Sequence, residues 1–164
     1  MNRFILSIAL TALAAAAVAQ PRASAPHGAK VYFIAPKNGA TVQNPVVVKF
    51  GLKGMTIAPA GTQADNTGHH HLLVDTDLSE LSLDAPLPAT DKVLHFGKGQ
   101  TETTLTLAPG KHTLQLLLGD ANHVPHVPPV FSKPITVYAG LVVHPVVHPK
   151  PHRRWTYPKQ PVPH

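Results

Sequence analysis

Between residues 28 and 140 the apolar residues recur in short runs, often at every second position. Nowhere do they keep the three-to-four-residue spacing of a long amphipathic helix. That pattern restricts the chain to strands and turns. Runs at 30–34, 45–52, 69–75, 93–96, 101–107, 112–118 and 131–138 read as seven strands. Val46-Val47-Val48 is β-branched and prefers the pleated backbone, and alternation puts Val46, Val48, Phe50 and Leu52 on one face. Leu114, Leu116 and Leu118 share the core face of the most apolar run. Asn38-Gly39 supplies the positive φ of a tight reversal, and Ala108-Pro109-Gly110 turns the chain again. Pro134 marks its strand as an edge or a strand start. Two connections are long. Residues 54–68 have no period, and 77–90 hold leucines among prolines, predicting an irregular crossover with one helical turn at Ser79-Glu80-Leu81.

Seven short strands with turn chemistry between them define the expected class: all-β, an immunoglobulin-like antiparallel β-sandwich. The 107–114 corner resembles the turn between the fifth and sixth strands of such domains, with His112 in the place of a corner tyrosine.

The ends read differently. Arg3, the uncharged apolar run 4–18 and Ala17-Val18-Ala19 before Gln20 form a signal-peptide pattern over 1–19, too short for a membrane span. Residues 20–27 are a linker, 28–140 the sandwich domain, and 141–164 a Pro/His-rich basic tail expected to be disordered. The expected product is a soluble, monomeric, periplasmic or secreted protein. The chain has no cysteine, which excludes disulfides and thiolate metal sites. Residues 27–140 carry eight lysines against eight acids, whereas 141–164 carry four basic residues and no acid. The domain therefore offers no basic face for nucleic acid, and the tail suits anionic lipid or cell-wall polymer.

The chemistry concentrates in histidine. Gly68-His69-His70-His71-Leu72-Leu73-Val74-Asp75 runs three imidazoles into a strand, and Asp120-Ala121-Asn122-His123-Val124-Pro125-His126 follows another strand about fifty residues on. On a strand His69 and His71 share one face, roughly 7 Å apart at the backbone. With Leu72 and Val74 facing the core, His70 faces it too. A His-x-His strand joined by a histidine from elsewhere forms an open nitrogen site for zinc or copper(II). The predicted metal set is His69, His71, His123 and His126, with His95 and Asp120 as helpers. The bland alternatives are specific. A triplet histidine can pack in the core or bond a main-chain carbonyl, His95 can be a half-buried strand residue, and Asp120 can cap the turn after Gly119. Met55 is the one methionine beyond the leader, so copper(I) lacks its sulfur ligands, and scarce acids disfavour calcium.

Catalysis has little to stand on. Ser79, Ser82 and Ser132 lie in no nucleophile motif, and Gly97-Lys98-Gly99 lacks phosphate-loop spacing. The expected role is non-enzymatic: sequestration or delivery of a divalent transition metal in the cell envelope. The alternative is an envelope interaction module whose histidines stiffen loops.

The strings GHHHLLVD (68–75), HFGKGQTE (95–102) and PGKHTLQLLLGDANHVPHVPP (109–129) resemble the motifs of an exported bacterial domain family known only as a domain of unknown function. The resemblance covers about residues 28–138 and implies a compact exported β domain without implying an activity. A weaker likeness is to periplasmic copper-binding β-sandwich proteins. It is carried by the leader, by His27 near the expected mature start and by the Lys-Asn-Gly-Ala-Thr-Val turn at 37–42. Those proteins use an N-terminal histidine as ligand.

Overall fold

The computed structural model describes residues 22–140. The expected signal segment and the Pro/His-rich tail lie outside the described residues.

Nine strands and one 3-10 turn follow in order: β1 (Lys30–Ala35), β2 (Ala40–Val42), β3 (Val46–Lys53), β4 (Thr56–Ile57), β5 (Thr67–Val74), the turn Leu78–Glu80, β6 (Val93–His95), β7 (Glu102–Leu105), β8 (Gly110–Gly119) and β9 (Ile135–Ala139). The fold is all-β. Strands β1-β3-β7 form a three-stranded sheet. A six-stranded sheet runs β2-β9-β8-β5-β4, with β6 also paired to β5. Among the described residues no helix is long and apolar enough to cross a membrane.

The sheets are held together by the faces that alternation predicts. Val46, Val48 and Phe50 of β3 are buried, while Val47 and Lys49 between them are exposed. They meet Leu72 of β5, Leu114, Leu116 and Leu118 of β8, and Val137 and Ala139 of β9 in the main core. Strands β5 and β8 are different in kind. Gly68 to Leu73 and Leu114 to Gly119 are buried without a break, so the centre of the large sheet is covered on both faces. Leu73, Leu87, Val93 and Leu117 make a second apolar cluster under the 77–92 crossover, on the face turned away from the sandwich core.

Four details depart from the expected sandwich. Two pairings are parallel, β2 with β9 and β4 with β5. Strands β2 and β4 have three and two residues, too few for an alternation to be read. The last strand begins at Ile135, after Pro134, which has no N–H to give a ladder; Phe131 contributes only an isolated bridge to Leu117. The helical turn starts at Leu78, one residue before the expected position. Asp77 caps it by accepting from the Ser79 N–H, and Glu80 Oε1 accepts from the Asp77 N–H.

His112 occupies the corner in the manner of a corner tyrosine. Its Nε2 lies 2.7 Å from the Ala108 carbonyl four residues upstream. Its Nδ1 lies 2.7 Å from Asp75 Oδ2, tying β8 to the end of β5.

Candidate metal centre

The site begins with the pleat of β5. His70 turns into the sandwich core and meets Phe50 edge-on, ring centroids 4.7 Å apart. It is fully buried, and neither ring nitrogen has a hydrogen-bond partner among the described residues. His69 and His71 turn the other way, onto the outer face of the large sheet.

That face is completed by the neighbouring strands. The β5–β6 register sets His95 directly opposite His71, and their ring centroids are 5.1 Å apart. The β5–β8 register sets Leu117 opposite His71 and Gly119 opposite His69. Gly119 has no side chain to fill the space, and the 120–126 loop folds back toward it. Asp120 shapes this loop. Its Oδ1 accepts from the backbone N–H groups of Asn122 at 2.8 Å and Val124 at 3.0 Å. His123 sits at the apex with φ +67°, a left-handed conformation uncommon for a side-chain-bearing residue. Its ring is thereby delivered to within 5.0 Å of His69 and 4.5 Å of His95, centroid to centroid.

The fold thus gathers His69, His95 and His123. One ligand atom from each lies within 4.8 Å of the other two, a group able to hold a metal ion. His69 is buried, whereas His95 at the end of β6 and His123 in the loop are half-buried, so the group opens to the outside past these two rings. His71 stands against it, 4.9 Å from His69 by centroids.

Burial and mutual repulsion favour the neutral form of three of these rings, His69, His71 and His95. Burial pushes His69 down to about 4, assisted by repulsion from His95 and His123 and opposed by the Asp120 carboxylate. Burial, then His69, His95 and His123, takes His71 to about 3. His95 is lowered by burial and by His123. At neutral pH the rings of His69, His71 and His95 therefore carry a free lone pair, the form a metal takes without displacing a proton.

Two residues of the predicted set lie apart. His126 is buried, but its Nε2 lies 3.0 Å from the Thr67 carbonyl, outside the group. Asp120 does the capping described above and acts on His69 through its charge alone. His126 and His112 thus show the loop-stiffening role that was the alternative for the whole set. Sequence reasoning passed over Gly119 and Gly97. A Cβ on Gly119 would stand 2.7 Å from His71 Cε1, and one on Gly97 would overlap the His95 ring. Both glycines lie within the motif strings 95–102 and 109–129, but only the fold shows which ring each one admits.

The family described as Domain of unknown function (DUF4399) matches residues 48–139, a span that contains every histidine of the group. No curated protein and no solved structure matches the chain.

Proposed function

We infer the function from the site itself, because the chain belongs to the DUF4399 family and that family is described as a domain of unknown function. The proposed role is reversible binding of a divalent transition metal, zinc or copper(II), through His69, His95 and His123. The metal is cargo, held for sequestration or delivery in the cell envelope, and the protein is not an enzyme. The leader-like sequence at 1–19 supports export.

The observation that carries this reading is the convergence of the three histidines within 4.8 Å beside the apolar cluster of Leu73, Leu87, Val93 and Leu117. A buried imidazole ordinarily spends its nitrogens on hydrogen bonds. Here His69 Nε2 and His95 Nε2 are buried and have no partner among the described residues. A tetrahedral ion with metal–nitrogen bonds of about 2.05 Å holds its ligand nitrogens about 3.3 Å apart. Ring rotations that close the group by up to about 1.5 Å complete it. The donor set is nitrogen only, which suits zinc and copper(II) and neither calcium nor copper(I) in a sulfur site.

The test is metal analysis of untagged protein purified from its native compartment, beside the His69→Ala, His95→Ala and His123→Ala variants. One equivalent of metal in the wild type, lost in each variant, is the expected result. A wild type without stoichiometric metal ends the proposal. Metal that survives all three substitutions but leaves on truncation after Gly140 moves the site to the tail.

A further inference from the structure

A fourth imidazole is buried beside the three. His71 is fully inaccessible, and both its ring nitrogens lack a hydrogen-bond partner among the described residues. Its neighbours on the same face are Leu73, Leu117 and the Val93 cluster, so an aliphatic side chain would be the stabler occupant. An unpartnered buried polar group keeps the cost of leaving water with no bond to offset it. The imidazole needs a reason, and packing does not supply one.

The positions of the four rings supply it. The centroid separations are 4.9 Å for His69–His71, 4.9 Å for His69–His95, 5.0 Å for His69–His123, 5.1 Å for His71–His95, 6.2 Å for His71–His123 and 4.5 Å for His95–His123. Four ligands in a square have two long diagonals that share no corner. The longest separation here is His71–His123 at 6.2 Å, and the pair that shares no ring with it, His69–His95, is 4.9 Å, inside the 4.5–5.1 Å range of the remaining edges. The rings therefore stand at the corners of a distorted tetrahedron.

We propose that His71 is the fourth ligand, and that His69, His71, His95 and His123 enclose a tetrahedral, all-nitrogen site suited to a closed-shell ion such as zinc. This rests on the three-histidine reading above and narrows it. Copper(II) and nickel(II) favour tetragonal arrangements, which this set of rings does not offer. Four protein ligands leave no position for water, so the ion is held as a closed centre and does not activate a nucleophile.

The experiment uses the full-length mature protein and cobalt(II) as a spectroscopic stand-in for zinc. The His69→Ala/His95→Ala/His123→Ala triple variant serves as the background for tail binding. The wild type should show the intense visible bands of tetrahedral cobalt at one equivalent. His71→Gln, checked for folding by circular dichroism, should bind at least about tenfold more weakly and lose that band pattern. X-ray absorption of zinc-loaded wild type needs no variant and should count four nitrogens and no oxygen. Three nitrogens plus water, with affinity unmoved in His71→Gln, overturns the fourth ligand and leaves the three-histidine site standing. No specific cobalt or zinc in the wild type overturns both.

Discussion

Gly119 and His71 lie on adjacent strands, and the absence of a side chain at the first is what admits the ring of the second. A Cβ at 119 would stand 2.7 Å from His71 Cε1, 3.1 Å from Nδ1 and 3.4 Å from the backbone carbon of His123. A contact of 2.7 Å is not one that real Cβ atoms make, so Gly119→Ala must push the His71 ring aside. Overpacking of this kind costs about 1–3 kcal/mol. Zinc affinity should fall together with stability in urea, by at least about tenfold, because a displacement of the first ring also shifts His123. Unchanged zinc binding in a folded Gly119→Ala protein would mean that neither ring needs its present position.

His126 tests whether the cluster is separate from the histidines around it. It is 1% exposed and its Nε2 meets the Thr67 carbonyl. His126→Ala leaves a void and an unpaired carbonyl, a loss of about 2–4 kcal/mol. Zinc stoichiometry should not change. His69→Ala should remove the metal, and its void is offset in part by the loss of an unpartnered nitrogen. Chemical denaturation and metal titration on the same two proteins check both halves.

How much of this was legible in the sequence depends on distance along the chain. A period of two resolves the faces of β3 and β5, so Val48 and Phe50 inward, and His70 opposed to His69 and His71, could be read directly. His95 was recognisable only as a candidate. Its place beside His71 comes from the β5–β6 register, set by pairing across more than twenty residues. His123 and His126 could not be separated, because three residues in a proline-containing loop fix no direction. The left-handed backbone at His123 and the Asp120 cap decide it. The parallel pairings of β2 and β4 escaped for a related reason: two or three residues carry no periodicity, and their partners come from tertiary packing.

His70 offers a gain of stability. It is wedged between sheets against Phe50, with both nitrogens unpartnered among the described residues, and burial lowers its pKa to about 4. Leucine at 70 removes two unsatisfied polar atoms and forfeits one edge-on aromatic contact. The first is worth about 1–3 kcal/mol and the second about 0.5–1.5 kcal/mol. His70→Leu should therefore raise the unfolding free energy by about 1 kcal/mol at neutral pH, seen as a higher urea midpoint. Metal binding should be untouched, because this ring points to the opposite face from His69 and His71. Loss of metal in this variant would show that the two faces communicate.

The corner histidine carries the pH dependence. Both nitrogens of His112 face acceptors at 2.7 Å, the Asp75 carboxylate and the Ala108 carbonyl. A neutral imidazole donates one proton, so only the imidazolium completes both bonds. The hydrogen bond that His112 donates to the Asp75 carboxylate accordingly raises the His112 pKa above its ordinary 6.5. Burial alone would raise Asp75, but the bonds from Thr113 and His112 hold it below its ordinary 3.8. A histidine whose folded pKa lies above the unfolded value stabilises fully below about pH 6.5, and that contribution fades as pH rises through the folded pKa. Asp75 works in the opposite sense, its share being lost as pH falls through its depressed value. The wild type should therefore exceed His112→Ala by about 1–2 kcal/mol near pH 5.5. The gap should narrow on the alkaline side and again in strong acid. Thermal melts of the two proteins from about pH 3 to pH 9 read this directly. A gap that stays constant from about pH 5.5 to pH 9 would mean that one bond, made by the neutral ring, suffices to hold the corner.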